Sequence, residues 1–293
     1  MSHLLCCGMG YSASALSRRV AARGWEISGT SRSLSGVDAL TARGWRGALF
    51  DAGQGPSGML KSALAEATHL LVSAAPGASG DPLLHHHAGD ILDAPRLQWI
   101  GYLSTIGVYG DFKGAWIDET AATSTTSPRA LARVAAETAW MDLAARRDTP
   151  LMVFRLAGIY GPGRSILDDI LDGTARVVVK PGQVFNRIHV DDIAGALATA
   201  ITKGRLPHVI YNGTDDEPAP PQEPMAFAAQ LLAKPMPPLV PYDEATLSPM
   251  ARSFYGDVKR VSNARLKADL GYTLQCPTYR EGLTRIWDEM RHD

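Results

Sequence analysis

The sequence has few cysteines, the residues whose disulfides crosslink small secreted proteins. It contains 3 cysteines among 293 residues, and Cys6 and Cys7 are adjacent while Cys276 is distant. This arrangement matches neither a disulfide framework nor a paired Cys-x-x-Cys metal site. With 45% hydrophobic side chains, the chain is long enough to bury a large core without crosslinks. These properties are typical of a protein of the reducing cytoplasm.

Excess charge and long apolar runs are also lacking. The 29 Lys and Arg nearly balance the 30 Asp and Glu, for a formal net charge of -1, so no global field would gather nucleic acid or an anionic membrane. The apolar run before Gly8 is too brief for the core of a signal peptide, and no later run approaches the length of a membrane span. We therefore expect a cytoplasmic protein that binds neither nucleic acid nor membrane.

Three consecutive histidines, at 85–87, invite comparison with a metal site. Neighbouring residues of a helix fan out by about 100° each, so three in a row cannot converge on one ion. We therefore expect no bound metal.

Short apolar runs alternate with amphipathic segments through the first half of the chain, which is the pattern of parallel strands joined by helices. We predict an α/β fold with a doubly wound parallel sheet of the Rossmann type and a smaller C-terminal α/β lobe. Residues 1–160 would form the dinucleotide-binding domain, with a strand over 207–212 returning to its sheet. Residues 161–293 would form the smaller, substrate-binding lobe.

A glycine-rich turn follows the first predicted strand directly. Residues 8–13 read G-x-G-x-x-A, a pattern that binds dinucleotides when it lies between a strand and a helix. Gly8 permits the tight turn, Gly10 lets the backbone approach a pyrophosphate, and Ala13 lets the helix pack closely on the strand. A turn of small residues without a ligand is the alternative. The setting favours a cofactor site formed by Gly8, Gly10, Tyr11, Ser12 and Ala13.

The end of the second predicted strand bears on the identity of the cofactor. An NAD-selective site usually places Asp or Glu there to hold the ribose hydroxyls, whereas this chain has Ser31 and Arg32. Arginine offers a planar fork of donors that suits a 2′-phosphate. We therefore predict NADP in preference to NAD, with a solvated arginine in an ordinary loop as the alternative.

Two more strand ends are predicted to face the cofactor, because ligands of open α/β sheets lie at the carboxyl ends of the strands. Asp51 closes the third strand, where it either meets the adenine amino group or caps the next turn. The small residues after the fourth strand would let the cofactor lie over the sheet edge, and they are Ser73, Ala74, Ala75 and Pro76.

Three later segments carry a more specific resemblance. Residues 103–110 read LSTIGVYG, residues 155–163 read RLAGIYGPG, and residues 187–194 read RIHVDDIA. In this order they make the chain similar to the extended short-chain dehydrogenases, the NAD(P)-dependent epimerase/dehydratase family. The resemblance covers most of the chain. It implies a nicotinamide cofactor with Ser104 in its site, a small-molecule substrate, and a homodimer built on the helix predicted over 128–147.

The same resemblance implies catalytic roles and reveals a departure. In the family, the residue matching Thr105 hydrogen-bonds the substrate oxygen, and a Tyr-x-x-x-Lys pair on the next helix supplies the proton. The register of that helix puts Arg129 at the place of the tyrosine and Arg133 at the place of the lysine. An arginine, whose pKa exceeds about 12, does not exchange protons usefully near neutrality.

Arg129 and Arg133 lie one helical turn apart, so we expect both guanidiniums to point at one volume beside Thr105 and to form an anion-binding edge. Arg133 would hold the nicotinamide ribose as the family lysine does. A solvated or subunit-packing surface is the alternative. Without the tyrosine, the proton would come through water or from one of three nearby tyrosines, Tyr109, Tyr160 or Tyr255.

A second departure concerns the substrate. Many sugar-nucleotide enzymes of the family carry an arginine where this chain has Phe185, which argues against a sugar nucleotide and leaves Arg187 or Arg164 to serve another anion. Asp191 and Asp192 are predicted to cap the following helix and hold the lobe together.

The sequence thus predicts an NADP(H)-binding oxidoreductase or epimerase that acts on a small substrate, with an anionic one favoured by the arginines. The alternative is a catalytically inactive NADP(H)-binding redox sensor or regulatory protein, which the missing tyrosine would explain.

Overall fold

The computed structural model describes residues 1–77, 79–243 and 245–292. Its strands are β1 His3–Cys7, β2 Glu26–Ser31, β3 Arg46–Leu49, β4 His69–Val72, β5 Trp99–Thr105, β6 Trp116–Ile117, β7 Leu151–Leu156, β8 Gly158–Tyr160, β9 Val177–Val179, β10 Arg187–His189, β11 Ile210–Gly213, β12 Leu239–Pro241 and β13 Arg260–Val261. Its helices are α1 Tyr11–Ala21, α2 Leu34–Thr41, α3 Gly58–Glu66, α4 Pro82–Leu92, α5 Pro128–Arg147, α6 Ile166–Leu171, α7 Val190–Lys203, α8 Gln222–Leu231, α9 Pro249–Phe254, α10 Ala264–Leu270 and α11 Tyr279–Met290, with short 3-10 turns at Ala52–Gln54 and Ile106–Tyr109.

A 7-stranded sheet in the order β3-β2-β1-β4-β5-β7-β11 forms the centre of the molecule. Each neighbouring pair is parallel, which confirms the predicted doubly wound α/β fold. The strand order reverses between β1 and β4, and ligands of such sheets bind in the crevice at this reversal, beyond the carboxyl ends of the strands. The turn that leaves β1 is therefore at the place where a ligand is expected.

Each face of the sheet carries its own hydrophobic core, so the central strands are apolar on both sides. Along β1, Leu4 and Cys6 join the core under α1, α7 and α10, whereas Leu5 and Cys7 join the core under α3, α4 and α5. Side chains of a strand alternate between faces, and this alternation is why four consecutive apolar residues can all be buried. The first strand is therefore fixed from both sides.

A third hydrophobic cluster lies apart from the sheet. It includes Leu167 of α6, Ala228 of α8 and Leu283 of α11. The parallel pairs β8–β10 and β9–β12 adjoin these helices. We refer to α6, α8, α11 and these two strand pairs as the small lobe. No helix in the described part of the chain has the length and apolar character needed to cross a membrane.

Two features differ from the sequence expectations. The sequence did not predict α2, whose Ser, Gly, Val and Thr residues have weak helical propensity; Ser33 caps it by accepting from the Gly36 N–H at 3.2 Å. The prediction that Asp191 and Asp192 cap α7 was wrong, because the cap is His189, whose Nδ1 accepts from the Asp191 N–H at 3.2 Å. Asp192 is fully buried.

Asp192 fixes the chain that precedes α11. Its two carboxylate oxygens accept from the backbone N–H groups of Gln275 at 2.7 Å and Cys276 at 2.9 Å, and the Tyr272 hydroxyl donates to it at 3.0 Å. A buried carboxylate with three donors is well compensated, so Asp192 connects the start of α7 to the C-terminal segment.

Candidate functional site

The turn after β1 is closed in a way that requires glycine at position 8. Gly8 has a φ of 87°, a conformation that L side chains rarely adopt. A Cβ there would also stand 2.9 Å from the backbone nitrogen of Ala74. The Gly8 and Met9 N–H groups donate to the hydroxyl and carbonyl of Thr30 at 2.8 and 3.0 Å. The turn is therefore held against β2 and the loop after β4.

Gly10 has a different reason to be glycine. It precedes α1 in extended conformation and caps the helix with no side-chain hydrogen bond. Among the described residues, nothing lies within 4 Å of the position that a Cβ on Gly10 would take. The N–H groups of the first helical turn, at Tyr11, Ser12 and Ala13, have no partner within the helix and carry its positive partial charge. This is the cradle that a pyrophosphate requires.

The loop after β4 borders this turn, as the sequence predicts. The Ser73 hydroxyl donates to the Gly8 carbonyl at 2.6 Å, and the Ala74 N–H donates to the Cys7 carbonyl at 3.0 Å. Ala75 is exposed and Pro76 is half-buried. Because the side chains of this loop are small, they leave space beside Gly8 at the carboxyl end of β4.

Three residues predicted to bind the cofactor lie at or just after the ends of β2 and β3. The Ser31 hydroxyl accepts from the Ser33 N–H at 3.3 Å, which shapes the entry into α2. Arg32 is exposed next to it. Asp51 accepts from the Gly53 N–H at 3.1 Å and so caps the short turn at Ala52–Gln54. This contact supports the capping role that the sequence left open for Asp51.

Ser104 lies beneath the surface of the site. It is 5% exposed, and its hydroxyl donates to the Glu137 carboxylate at 2.5 Å. The Arg155 guanidinium, 4% exposed, donates from Nη2 to the same carboxylate at 2.6 Å and from Nε at 3.1 Å. Ser104 therefore contributes to a buried polar network that connects β5, α5 and β7.

The network continues to the last strand of the sheet. The Arg155 guanidinium carbon lies 4.8 Å from the centre of the Tyr109 ring. The Tyr109 hydroxyl donates to the Asn212 side-chain oxygen at 2.7 Å, and the Asn212 N–H donates to Glu119 at 2.8 Å. Sequence reasoning assigned no role to Glu137, Arg155 or Glu119.

Thr105 ends β5, and Arg133 reaches the same strand end. Thr105 Oγ1 accepts from the Gly107 N–H at 3.1 Å. Arg133 Nη1 donates to the Leu103 carbonyl at 2.5 Å and to the Tyr102 hydroxyl at 3.3 Å. Arg129 is exposed in the first turn of α5. Arg133 is thus turned towards β5, while Arg129 is solvent-accessible.

The three tyrosines named as proton sources all use their hydroxyl protons inside the protein. Tyr109 donates to Asn212 at 2.7 Å, Tyr160 to the Thr278 carbonyl at 3.4 Å and Tyr255 to the Val178 carbonyl at 3.3 Å. Burial raises the pKa of each of these hydroxyls. All three hydroxyls are therefore engaged within the protein and harder to deprotonate than a free tyrosine.

The two arginines suggested for anions differ in their surroundings. Arg187 donates to the carbonyls of Phe185 at 3.0 Å and Ala219 at 3.3 Å, and burial lowers its pKa. Arg164 is exposed, with its guanidinium carbon 5.8 Å from the centre of the Tyr11 ring. Arg187 is occupied by backbone carbonyls, whereas Arg164 stands beside the start of α1.

Comparison with known proteins agrees with this geometry. The model of the NAD dependent epimerase/dehydratase family matches residues 5–213. The structure of a conserved protein of unknown function from Silicibacter pomeroyi is 46% identical, with a TM-score of 0.88 over 99% of each chain. The complex of UDP-glucuronic acid 4-epimerase from Bacillus cereus with NAD is 14% identical, with a TM-score of 0.75 over 99% of each chain, and shows the shared fold.

A Streptomyces enzyme, 3-diazoavenalumate denitrifying reductase, is 31% identical over 157 residues. The match spans about half of that protein, 49% of its length and 49% of this chain.

Proposed function

Because this chain belongs to the NAD dependent epimerase/dehydratase family, we propose that it binds NADP(H) at the turn between β1 and α1 and acts as an oxidoreductase on a small anionic substrate. The observation that carries the proposal is the pairing of a Gly8 turn that tolerates no side chain with a Gly10 helix start that lacks a side-chain cap. Such a turn presents backbone N–H groups to a pyrophosphate.

The preference for NADP rests on the end of β2. Arg32 is exposed there and is followed by the N-terminus of α2, whose positive partial charge adds to that of the guanidinium. A 2′-phosphate would gain charge-assisted hydrogen bonds at this place, and no acidic side chain at 31 or 32 would repel it.

The reaction centre would lie at the end of β5. When bound, the nicotinamide supplies or accepts the hydride. Thr105 Oγ1 already accepts from Gly107, so its own proton remains to be donated to a substrate oxygen. Arg133 donates to the Leu103 carbonyl, and its remaining donors would hold the nicotinamide ribose. Arg129, exposed at the start of α5, attracts an anionic group, and water supplies the proton.

Reduction is the favoured direction. The Streptomyces relative that matches half of its length here is named a reductase. This is the basis for testing the reduced cofactor first.

Cofactor binding is tested by titrating the protein with NADPH and NADH in a calorimeter. We expect NADPH to bind at least about tenfold more tightly than NADH, and Arg32→Ala to remove most of that difference. Arg23→Ala is the control, since Arg23 is an exposed arginine beyond the opposite end of α1. Equal affinities for the two coenzymes would overturn the NADP assignment.

Turnover is tested by following NADPH absorbance with a panel of carbonyl substrates. Thr105→Ala should lower the rate about a hundredfold. Thr123→Ala, at an exposed threonine in the loop between β6 and α5, is the control and should leave the rate unchanged. The alternative function, a catalytically inactive redox sensor, is suggested by the arginine at position 129. It would be supported by tight NADPH binding without turnover and by different conformations of the oxidised and reduced complexes.

A further inference from the structure

The turn that links β8 to α6 is rigid. The Gly161 N–H donates to the Arg164 carbonyl at 3.2 Å, and the Arg164 N–H returns a bond to the Gly161 carbonyl at 3.0 Å. The helix that follows is fixed by a capping box, in which Ser165 and Asp168 satisfy each other. Arg164 therefore projects from a closed turn of the small lobe.

This turn is built directly against the first residue of α1. The Tyr11 hydroxyl donates to the Pro162 carbonyl at 2.9 Å. A Cβ on Gly161 would stand 2.5 Å from the Tyr11 hydroxyl oxygen and 2.6 Å from Val190 Cγ1. A larger residue at 161 would force the Tyr11 or Val190 side chain to move, so the turn of the small lobe lies in direct contact with the first residue of α1.

Arg164 brings a cation to that contact. Its guanidinium lies over the Tyr11 ring at 5.8 Å and is exposed. No carboxylate of the described residues forms an ion pair with Arg164. Asp168 accepts hydrogen bonds from the backbone and side chain of Ser165, and Asp191 pairs with Arg285 at 2.8 Å. A guanidinium without a counterion thus stands beside a helix start that carries positive partial charge and has no side-chain cap.

We infer that Arg164 is a ligand of the cofactor's diphosphate, reaching from the small lobe to the phosphate groups that the α1 N–H groups hold. The inference rests on the proposed cofactor site. The guanidinium fork suits phosphate oxygens, and the stacking on Tyr11 orients it before the cofactor arrives, which lowers the entropy lost on binding. The dinucleotide is then gripped by both the sheet and the small lobe.

The test uses cofactor fragments that separate the contacts. ADP-ribose carries the diphosphate without the 2′-phosphate, and adenosine 2′-phosphate carries the reverse. Arg164→Gln should raise the Kd values of NADPH and ADP-ribose about tenfold and leave that of adenosine 2′-phosphate unchanged. Arg32→Ala should raise the Kd values of NADPH and adenosine 2′-phosphate and leave that of ADP-ribose unchanged. Arg164→Lys, which keeps the charge but loses the fork, should fall between Arg164→Gln and the parent.

Arg176→Gln, at another exposed arginine near α6, is the matched control and should leave all three Kd values unchanged. If the parent protein binds NADPH, and Arg164→Gln binds NADPH and ADP-ribose as tightly as the parent does, the role of Arg164 is refuted while the proposed cofactor site stands. Equal weakening of all three ligands by Arg164→Gln would also refute it, because that result indicates a general structural effect. If the parent binds no dinucleotide, the proposed function itself fails.

Discussion

Ser104 of β5 donates a 2.5 Å hydrogen bond to Glu137 of α5, and this bond is one end of a buried polar network beneath the carboxyl end of β5. Glu137 is 2% exposed and its other strong partner is the buried Arg155 guanidinium. Removing one partner of a buried pair leaves the other charge uncompensated. Thr105 is the next residue along β5.

Glu137→Gln is expected to lower the free energy of unfolding by about 3–5 kcal/mol, because Arg155 would keep its charge without a counterion. Glu66→Gln is the matched control. Glu66 also pairs with an arginine, Arg46, at 2.6 Å, but both side chains are about half exposed, and such pairs contribute about 0–1 kcal/mol. Urea unfolding of the two variants measures both values. If Glu137→Gln lowers the free energy of unfolding as little as Glu66→Gln does, the buried network does not stabilise the fold.

Gly8→Ala is expected to destabilise the protein by about 2–4 kcal/mol. The substitution combines an unfavourable positive φ with a Cβ that meets the Ala74 backbone nitrogen at 2.9 Å. Gly24→Ala separates the two effects, since Gly24 also has a positive φ, 80°, but no atom of the described residues lies within 4 Å of its Cβ position. It should cost only about 1–2 kcal/mol. Thermal and urea unfolding compare them, and an equally small loss at Gly8 would contradict the tight contact.

Asp215 gives the stability a pH dependence. Burial raises the pKa of Asp215 from 3.8 to about 8, and its Oδ2 has no hydrogen-bond partner in the described part of the chain. Between about pH 4 and pH 8 the folded state keeps a proton that the unfolded state releases. Stability should therefore fall as pH rises through this range, by at most about 1.4 kcal/mol per pH unit.

Asp215→Asn removes this titration and should flatten the profile, with the largest gain over the parent near pH 8. Urea unfolding across the pH range gives the comparison, and Asp243→Asn, at an exposed aspartate, should follow the parent. Parallel curves for the parent and Asp215→Asn would show that Asp215 is ionised in the fold.

The parts of the fold that sequence predicted are those with a local signal. Proline at the start of α5 and the long amphipathic pattern after it predicted that helix at 128–147, and the apolar run of β1 ending at a glycine predicted the position of the turn between β1 and α1. The α2 helix was missed because its residues favour helix weakly and its stability comes from packing against β3, where Val37 lies over Gly47.

The buried network was beyond sequence reasoning for a different reason. Ser104, Glu137 and Arg155 are far apart in the chain, and a glutamate on an amphipathic helix looks solvent-exposed until the fold places an arginine opposite it. The prediction of the residue that caps α7 failed for a similar reason. Aspartates at a helix start usually cap it, but the fold turns Asp192 towards the 275–276 backbone and leaves the cap to His189.

The proposed cofactor site at the β1–α1 turn is tested by calorimetry of Gly10→Glu with NADPH, because the substitution acts where the diphosphate of NADP(H) would lie. A carboxylate at this helix start is favourable for the fold, and a Cβ at Gly10 meets no atom of the described residues within 4 Å, so the melting temperature should stay close to that of the parent. The new side chain would occupy and repel the phosphates. We predict that the parent binds NADPH and that the variant loses at least about a hundredfold in affinity. No heat from the parent with either nicotinamide coenzyme, or unchanged binding by the variant, would contradict it.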